Sequence, residues 1–168
     1  MGAFNLRQVR LRSGEQWRDE QRIALEALHF GGQRYLPVPA EVPADLTISR
    51  ASTGTVFELG FRTRLHGPCQ RCLADAVVDL AISAREYQAT NPGGSDELRT
   101  PYLEDDRLDL EAWARDALAL TLPAQLTCRP DCAGLCPVCG ANLNEDHDHR
   151  HESAPDPRWA KLSELKFD

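Results

Sequence analysis

Two stretches in the middle of the chain alternate regularly between apolar and polar positions. The first covers residues 57–66 and the second covers residues 78–85. A period of two residues is typical of β-strands that bury one face. Because the segment between them contains the turn residues Gly67 and Pro68, the two stretches are predicted to form a β-hairpin. The predicted buried positions are Phe57, Leu59, Phe61, Thr63 and Leu65 in the first strand, and Val78, Leu80, Ile82 and Ala84 in the second.

A helical period of about 3.6 residues begins after Asp109. Asp109 has the side chain of a helix N-cap, and Glu111 lies in the first turn, where the helix dipole favours an acid. Pro123 ends the pattern. We expect this helix to cover the sheet, with one buried stripe formed by Leu110, Trp113, Ala114, Ala117, Leu118 and Thr121.

The remaining parts of the chain carry weaker patterns. Residues 9–12 are predicted to form a short strand, and residues 15–28 to form a helix or a helix followed by a strand. Leu46 and Ile48 belong to a further short strand. Near the C-terminus, Asp156-Pro157 predicts the start of a short helix.

Six cysteines supply the candidate chemistry. Cys69 and Cys72 are separated by two residues, and so are Cys136 and Cys139. This spacing lets both sulfurs reach one tetrahedral ion. Gly140 allows the positive φ that such a turn often requires. The other candidate zinc ligands are Cys128, Cys132, His147 and His149.

Two divisions of these ligands are compatible with their spacing. In the favoured one, Cys69, Cys72, Cys136 and Cys139 hold one zinc ion, and Cys128, Cys132, His147 and His149 hold a second. In the alternative, the four C-terminal cysteines form a local site, and Cys69 and Cys72 bind the histidines or remain free. Closing the long loop of the favoured division costs about 4 kcal/mol. Structural zinc contributes about 10–16 kcal/mol of apparent binding energy in small peptides, which exceeds this cost. We therefore expect the chain to bind zinc, with one or two ions.

The net charge and the expected cellular compartment limit the classes of function that fit this sequence. The first eleven residues lack the apolar core of a signal peptide, and no membrane segment is predicted. We therefore expect a cytoplasmic protein, in which clustered cysteines favour metal over disulfides. The net charge of −7 opposes general binding to nucleic acid. Residues 59–74 nevertheless contain no acid. We predict that Arg62, Arg64 and Arg71, which lie in this stretch, contact RNA. Such a cluster of arginines is more often a solvated strand face.

Catalysis finds little support in the sequence. The chain has no glycine-rich phosphate loop, nucleophile elbow or His-Glu-x-x-His motif. A surplus of thiolates indicates closed structural zinc sites rather than a catalytic site with an open position. We expect neither an enzyme nor a small-molecule substrate. A redox dithiol remains an alternative, although Cys69 lies between strands rather than before a helix.

Three sequence blocks resemble the YceD family of large ribosomal RNA subunit accumulation proteins. The blocks are residues 67–73, residues 128–144 and residues 156–162. Many members follow the second block with Cys-x-Cys, where this chain has His147-Asp148-His149. The resemblance implies a bacterial or plastid factor without known enzymatic activity. Such a factor supports the accumulation, processing or stability of large-subunit (23S) rRNA. Its implied partner is this rRNA or the precursor ribosomal particle, contacted directly or through a ribosomal protein.

These observations predict an α+β fold: an antiparallel sheet with a covering helix and a C-terminal zinc-knuckle segment. Residues 1–125 are expected to form the α+β domain that includes the first Cys-x2-Cys hairpin. Residues 126–168 are expected to form a Cys/His zinc-binding segment with a short terminal helix. The predicted function is a non-enzymatic zinc-binding factor in ribosome biogenesis. A zinc-ribbon adaptor that binds only protein, or a thiol redox sensor, are the alternatives.

Overall fold

The long strands form an antiparallel sheet in a computed structural model of the chain, which describes residues 3–151 and residue 158. Each strand of the main sheet pairs with an antiparallel neighbour. The elements are β1 (Ala3–Asn5), β2 (Gln16–Ala24), β3 (Leu28–Phe30), β4 (Gln33–Val38), β5 (Glu41–Arg50), β6 (Gly54–Pro68), β7 (Asp75–Ala89), β8 (Leu103–Glu104), β9 (Arg107–Asp109) and the helix α1 (Leu110–Thr121), with short 3-10 helices at Leu6–Gln8 and Asp96–Leu98.

β6 is the central strand of this sheet. Its first half pairs with β5 and its second half with β4, along the same edge. β2 extends the sheet beyond β5, and β3 pairs with β4. β7 pairs with the other edge of β6 along its entire length, from Gly54 opposite Ala89 to Pro68 opposite Asp75. The β6–β7 hairpin is therefore long, and its tip carries the first cysteine pair.

One face of the sheet is buried beneath α1, and the opposite face is open to solvent. The helix contacts β7 and β2, and its apolar stripe joins the core formed by β5, β6 and β7. A small sheet of β1, β9 and β8 adjoins this core, with the rings of Phe4 and Trp17 5.1 Å apart. The fold thus leaves the outer face of β6 and β7 available for contacts. The largest side chains that are almost completely buried include Trp113, Tyr35, Phe57, Leu46 and Leu59.

The predicted hairpin and helix are confirmed, except that Thr121, predicted in the buried stripe of the helix, is exposed. The predicted inward positions of β6, including Thr63, are all buried, and α1 begins after Asp109 and ends before Pro123. The interpretation of residues 15–28 was wrong where it began with a helix, because residues 16–24 form strand β2. Residues 9–12 do not form the predicted short strand. The helix predicted near Asp156-Pro157 lies outside the described residues.

The start of α1 depends on its N-cap. The Asp109 carboxylate accepts a hydrogen bond of 3.0 Å from the Ala112 backbone N–H. Replacing Asp109 with alanine is expected to lower the free energy of unfolding by about 1 kcal/mol, because a donor in the first turn loses its partner. Urea denaturation measures this change. Asp109→Asn keeps an acceptor and should behave like the parent chain; equal losses in both variants would contradict a capping role.

Among the described residues, no helix is long and apolar enough to cross a membrane.

Candidate metal centres

The tip of the β6–β7 hairpin folds into a tight knuckle around Cys69. The Cys69 backbone N–H donates to the Ala74 carbonyl at 2.7 Å, and the Leu73 N–H donates to the Cys69 carbonyl at 2.9 Å. The Arg71 N–H points at the Cys69 sulfur at 3.4 Å. Leu73 takes a left-handed conformation, with φ of 62°. The backbone therefore directs both sulfurs of the pair to the same side of the turn.

The second Cys-x2-Cys turn repeats this geometry. The Cys136 N–H donates to the Ala141 carbonyl at 2.8 Å, and the Gly140 N–H donates to the Cys136 carbonyl at 2.8 Å. Gly140 has φ of 75°, at the position that Leu73 occupies in the first knuckle. Glycine adopts this conformation without steric cost. The two Cys-x2-Cys turns thus have matching backbone hydrogen bonds at equivalent positions.

After α1, the chain returns to the hairpin tip and is held there by the first knuckle. Leu126 is buried and exchanges two hydrogen bonds with Gln70: the Gln70 N–H donates to its carbonyl at 2.8 Å, and its own N–H donates to the Gln70 side chain at 3.2 Å. The Leu135 N–H donates to the Arg71 carbonyl at 3.1 Å. The cysteines that follow Leu126 are therefore placed beside Cys69 and Cys72.

The first ligand group contains four sulfurs. Cys69, Cys72 and Cys132 are buried. The Cys69 and Cys132 sulfurs are 3.8 Å apart, and those of Cys72 and Cys128 are 3.5 Å apart. Tetrahedral zinc with Zn–S bonds near 2.3 Å requires sulfurs roughly 3.8 Å apart. The donor set and its spacing fit a closed four-cysteine zinc site.

The second ligand group contains two sulfurs and two imidazoles: Cys136, Cys139, His149 and His151. The Cys139 sulfur lies 3.1 Å from His149 Nε2 and 3.3 Å from His151 Nε2. The other ring nitrogen of His149 is 3.3 Å from an Asp146 carboxylate oxygen. A carboxylate in that position orients a metal-binding imidazole. This set fits a zinc site of two cysteines and two histidines, and it is more exposed than the first, because Cys139 and His151 are exposed.

Hydrogen bonds in the knuckles favour the thiolate of each leading cysteine. Burial raises the pKa of Cys69, but hydrogen bonds from the backbone N–H groups of Cys72, Arg71 and Cys128 bring this pKa to about 6. Hydrogen bonds from the Cys139 and Val138 backbone likewise lower the pKa of Cys136 to about 6. The thiolate is the form that binds metal, so the local backbone already prepares both turns for an ion.

The grouping of the ligands differs from both divisions considered for the sequence. Cys69 and Cys72 meet Cys128 and Cys132, whereas Cys136 and Cys139 meet a histidine pair. That pair is His149 with His151, and His147 lies outside both groups among the described residues. Spacing alone could not choose between the pairs, because 147/149 and 149/151 have the same separation.

Asn144 is a supporting residue that belongs to neither the cysteine nor the histidine pairs. Its amide nitrogen lies 3.5 Å from the Cys132 sulfur. Its amide oxygen accepts hydrogen bonds of 2.8 Å from the Ala133 N–H and the Arg129 guanidinium. Asn144 therefore fixes the loop that carries Cys132 and donates toward the thiolate.

The base of the first knuckle is held by an aromatic pair. Tyr35 is buried, stacks on Phe30 at 4.1 Å, and donates from its hydroxyl to the Pro68 carbonyl at 3.1 Å. Its ring lies directly over Gly67, where an added Cβ would be 2.7 Å from the Cε1 atom of Tyr35. The strand can approach the ring this closely only because residue 67 has no side chain.

Two of the predicted RNA-binding arginines lie together on the open face of the sheet. Arg62 and Arg64 are exposed and line a groove of about 410 Å³ with Val38, Asp79 and Ala81. Neither forms an ion pair within the described residues. Other arginines on this face are paired: Arg18 with Asp45, Arg22 with Glu41 and Arg85 with Glu58.

Arg71, the third predicted RNA-binding residue, is placed on the first knuckle rather than on the sheet. It is exposed, and its backbone contacts both the Cys69 sulfur and Leu135. The three arginines therefore follow one long hairpin from the middle of β6 to its tip.

The fold and site define a class: an α+β protein whose long hairpin carries a four-cysteine group completed by a distant C-terminal segment. The sequence model described as "Large ribosomal RNA subunit accumulation protein YceD" matches residues 57–166. This span includes β6 from Phe57 onward, all of β7 and all residues of both ligand groups. The chain belongs to the YceD family.

Curated relatives come from mycobacteria and from a plant. An uncharacterized protein of Mycobacterium tuberculosis is 37% identical over 125 residues, covering 72% of this chain and 60% of the relative. An uncharacterized protein of Mycobacterium leprae is 33% identical over 131 residues, covering 75% and 59%. The chain thus spans about 60% of the length of these relatives.

The plant relative carries the family name. The chloroplastic large ribosomal RNA subunit accumulation protein YCED homolog 1 of Zea mays is 42% identical over 40 residues, covering 24% of this chain and 14% of that protein. No solved structure matches the chain. Family membership suggests a role in the accumulation of large-subunit ribosomal RNA.

Proposed function

We propose that the chain is a non-enzymatic, zinc-binding cytoplasmic factor that supports accumulation, processing or stability of 23S rRNA during ribosome biogenesis. The observation that carries this proposal is the family match across residues 57–166, which includes most of the hairpin and both ligand groups. The role in the RNA pathway rests on the family name. The part assigned to zinc rests on the donor sets.

In this proposal, zinc has a structural role. Each group offers four donors, and four protein ligands close a tetrahedral site and leave no open position for catalysis. The ion of the four-cysteine group would attach the zinc-binding segment of residues 126–168 to the α+β domain of residues 1–125. When bound, the ion supplies folding free energy and neutralises thiolate charge. The hairpin tip would thereby become a rigid element.

The RNA contact is assigned to Arg62, Arg64 and Arg71. Residues two apart on a strand project from the same face about 6.7 Å from each other, so Arg62 and Arg64 can contact neighbouring phosphates of one RNA strand. Their guanidinium groups have no acid partner within the described residues, unlike the paired Arg18 and Arg22 on the same face. Unpaired guanidinium groups favour phosphate contacts, which increase affinity without reading sequence.

Charge reversal tests this assignment. The variant with Arg62, Arg64 and Arg71 replaced by glutamate should lose crosslinking to large-subunit rRNA in cells. Each lost phosphate contact removes about 0.7 to 0.9 from the slope of log affinity against log salt concentration. Binding of the purified zinc-loaded chain to rRNA fragments, measured across a salt series, should therefore show a slope smaller by about two to three.

A matched control has the same change in charge elsewhere on the surface. Arg10, Arg12 and Arg107 are exposed and lie outside the main sheet; their replacement by glutamate should leave the crosslinks in place. Unchanged crosslinks in the Arg62/Arg64/Arg71 variant would reject the docking assignment. Association with the precursor particle that survives nuclease treatment, without rRNA crosslinks, would instead support the protein-binding adaptor.

A further inference from the structure

We propose that two copies of this chain pair through the outer edge of β7 and form a two-fold symmetric dimer with one continuous sheet. β7 is 15 residues long and pairs with β6 on one side. Among the described residues, it has no second strand partner. An unpaired edge presents a row of backbone donors and acceptors that a second strand can satisfy. The inference is independent of the proposed function.

This edge lacks several of the features that prevent pairing. Proteins protect exposed edges with proline, lysine, bulges or very short strands. β7 contains neither proline nor lysine, and its register against β6 is unbroken. Leu80 and Ile82 are buried on the side that α1 contacts, which holds the middle of the strand in place. β7 therefore offers a long, regular edge with which a second strand can pair.

The sequence of β7 is complementary to itself when the strands run antiparallel. A two-fold axis at Ile82 places Asp79 opposite the partner's Arg85, and by symmetry Arg85 opposite the partner's Asp79. Both residues are exposed on the open face, and opposite charges directly across a strand pair are stabilising. Within the described residues, Asp79 has no ion pair of its own, so it is available for this contact.

The new pair completes a row of alternating charge across the dimer. Arg64 lies opposite Asp79 within one copy, and Glu58 lies opposite Arg85 and forms an ion pair with it at 3.6 Å. The dimer row therefore reads Arg64, Asp79, the partner's Arg85 and the partner's Glu58. The same register places Val77, whose side chain is 48% exposed, opposite the partner's Tyr87.

A competing register is less complementary. A two-fold axis at Leu80 places Asp75 opposite the partner's Arg85, but it leaves residues 86–89 unpaired and sets Val77 opposite a serine. Asp75 faces Pro68 within its own copy, so no four-charge alternation forms. The Ile82 register uses the whole strand and covers Val77, and it is the one proposed.

Dimerisation would place Arg62 and Arg64 of both copies on the same face of one continuous sheet. In the continuous sheet, the β6 strands of the two copies are three strand spacings apart, or about 14 Å. Arg62 and Arg64 project from the same open face in both copies, because pairing across an edge preserves the faces. The dimer would thus double the charged surface without covering it.

A charge-swap experiment tests the pairing. Sedimentation velocity of the zinc-loaded chain over a concentration series should show a reversible monomer–dimer equilibrium. Asp79→Arg alone and Arg85→Asp alone should each raise the dissociation constant at least tenfold, since each puts like charges opposite each other twice in the homodimer. An equimolar mixture of the two variants should recover the affinity, and native mass spectrometry should find the heterodimer in excess.

The mixture separates charge repulsion from misfolding, since a misfolded variant would not be rescued by the other. Asp75→Arg is the matched control, because it makes the same charge change on the same strand but faces Ala89 of the partner subunit; it should leave the dissociation constant within about twofold. A parent chain that remains monomeric to millimolar concentration would overturn the proposal. Rescue of Arg85→Asp by Asp75→Arg in place of Asp79→Arg would overturn the proposed register.

Discussion

Replacing Cys132 with serine is expected to remove one zinc ion per chain and to lower the free energy of unfolding by about 4 kcal/mol or more, because loss of a metal is among the few single changes of that size. Cys132 is fully buried, 3.8 Å from the Cys69 sulfur, and it joins the C-terminal segment to the hairpin tip. Native mass spectrometry would count the metal, and urea denaturation with zinc present would give the stability.

The exposed second group provides the comparison. Cys139→Ser should also remove one ion, but Cys139 is exposed and its group closes only the local loop of residues 136–151. The loss of stability should therefore be smaller than for Cys132→Ser, because the loop that this ion closes is much shorter. The metal assignment would fail if the parent chain, purified under reducing conditions with ample zinc, contained no metal and unfolded at the same urea concentration with and without chelator.

Replacing Gly67 with alanine is expected to cost about 1–3 kcal/mol, the usual range for overpacking a filled site. A methyl group at this position would overlap the buried Tyr35 ring, which is itself fixed by Phe30 and by its hydrogen bond to Pro68. The ring cannot move aside without losing these contacts. Chemical denaturation would measure the loss, and the zinc content should fall at chelator concentrations that the parent chain tolerates.

Gly60 is the matched control for this change. It lies on the same strand, and a Cβ there would meet only the Ile82 carbonyl oxygen at 3.9 Å. Gly60→Ala should be neutral or slightly stabilising, because alanine reduces the entropy of the unfolded chain. If both variants behaved alike, the contact between Tyr35 and Gly67 would not matter for the stability of the knuckle.

Local patterns predicted the β6–β7 hairpin and α1, because each carries its own periodicity and end signals. Asp109 and Pro123 bound the helix, and the alternation from Phe57 to Leu65 matches the buried face of β6. β2 was missed because its exposed residues, including Glu20 and Arg22, also suit a helix. Its strand conformation comes from pairing with β5, a partner more distant in the sequence.

The residue types of the candidate ligands could be read from the sequence, but their grouping could not. Cys-x2-Cys spacing identifies a pair that shares one ion, yet it does not say which second pair completes the site. That choice depends on Leu126, whose hydrogen bonds to Gln70 bring Cys128 and Cys132 to the hairpin. Leu126 lies outside every metal motif, and Gln70 is one of the two variable residues of the first motif, so this contact could be found only in three dimensions.

The separation of the four sulfur donors along the chain also matters during translation. A nascent chain that has emerged only as far as α1 has Cys69 and Cys72 but neither of their partners, since Cys128 and Cys132 are synthesised later. Two thiolates alone cannot close a tetrahedral site. A zinc ion bound by all four cysteines, as proposed, can therefore be captured at the hairpin tip only after the second sulfur pair has been synthesised.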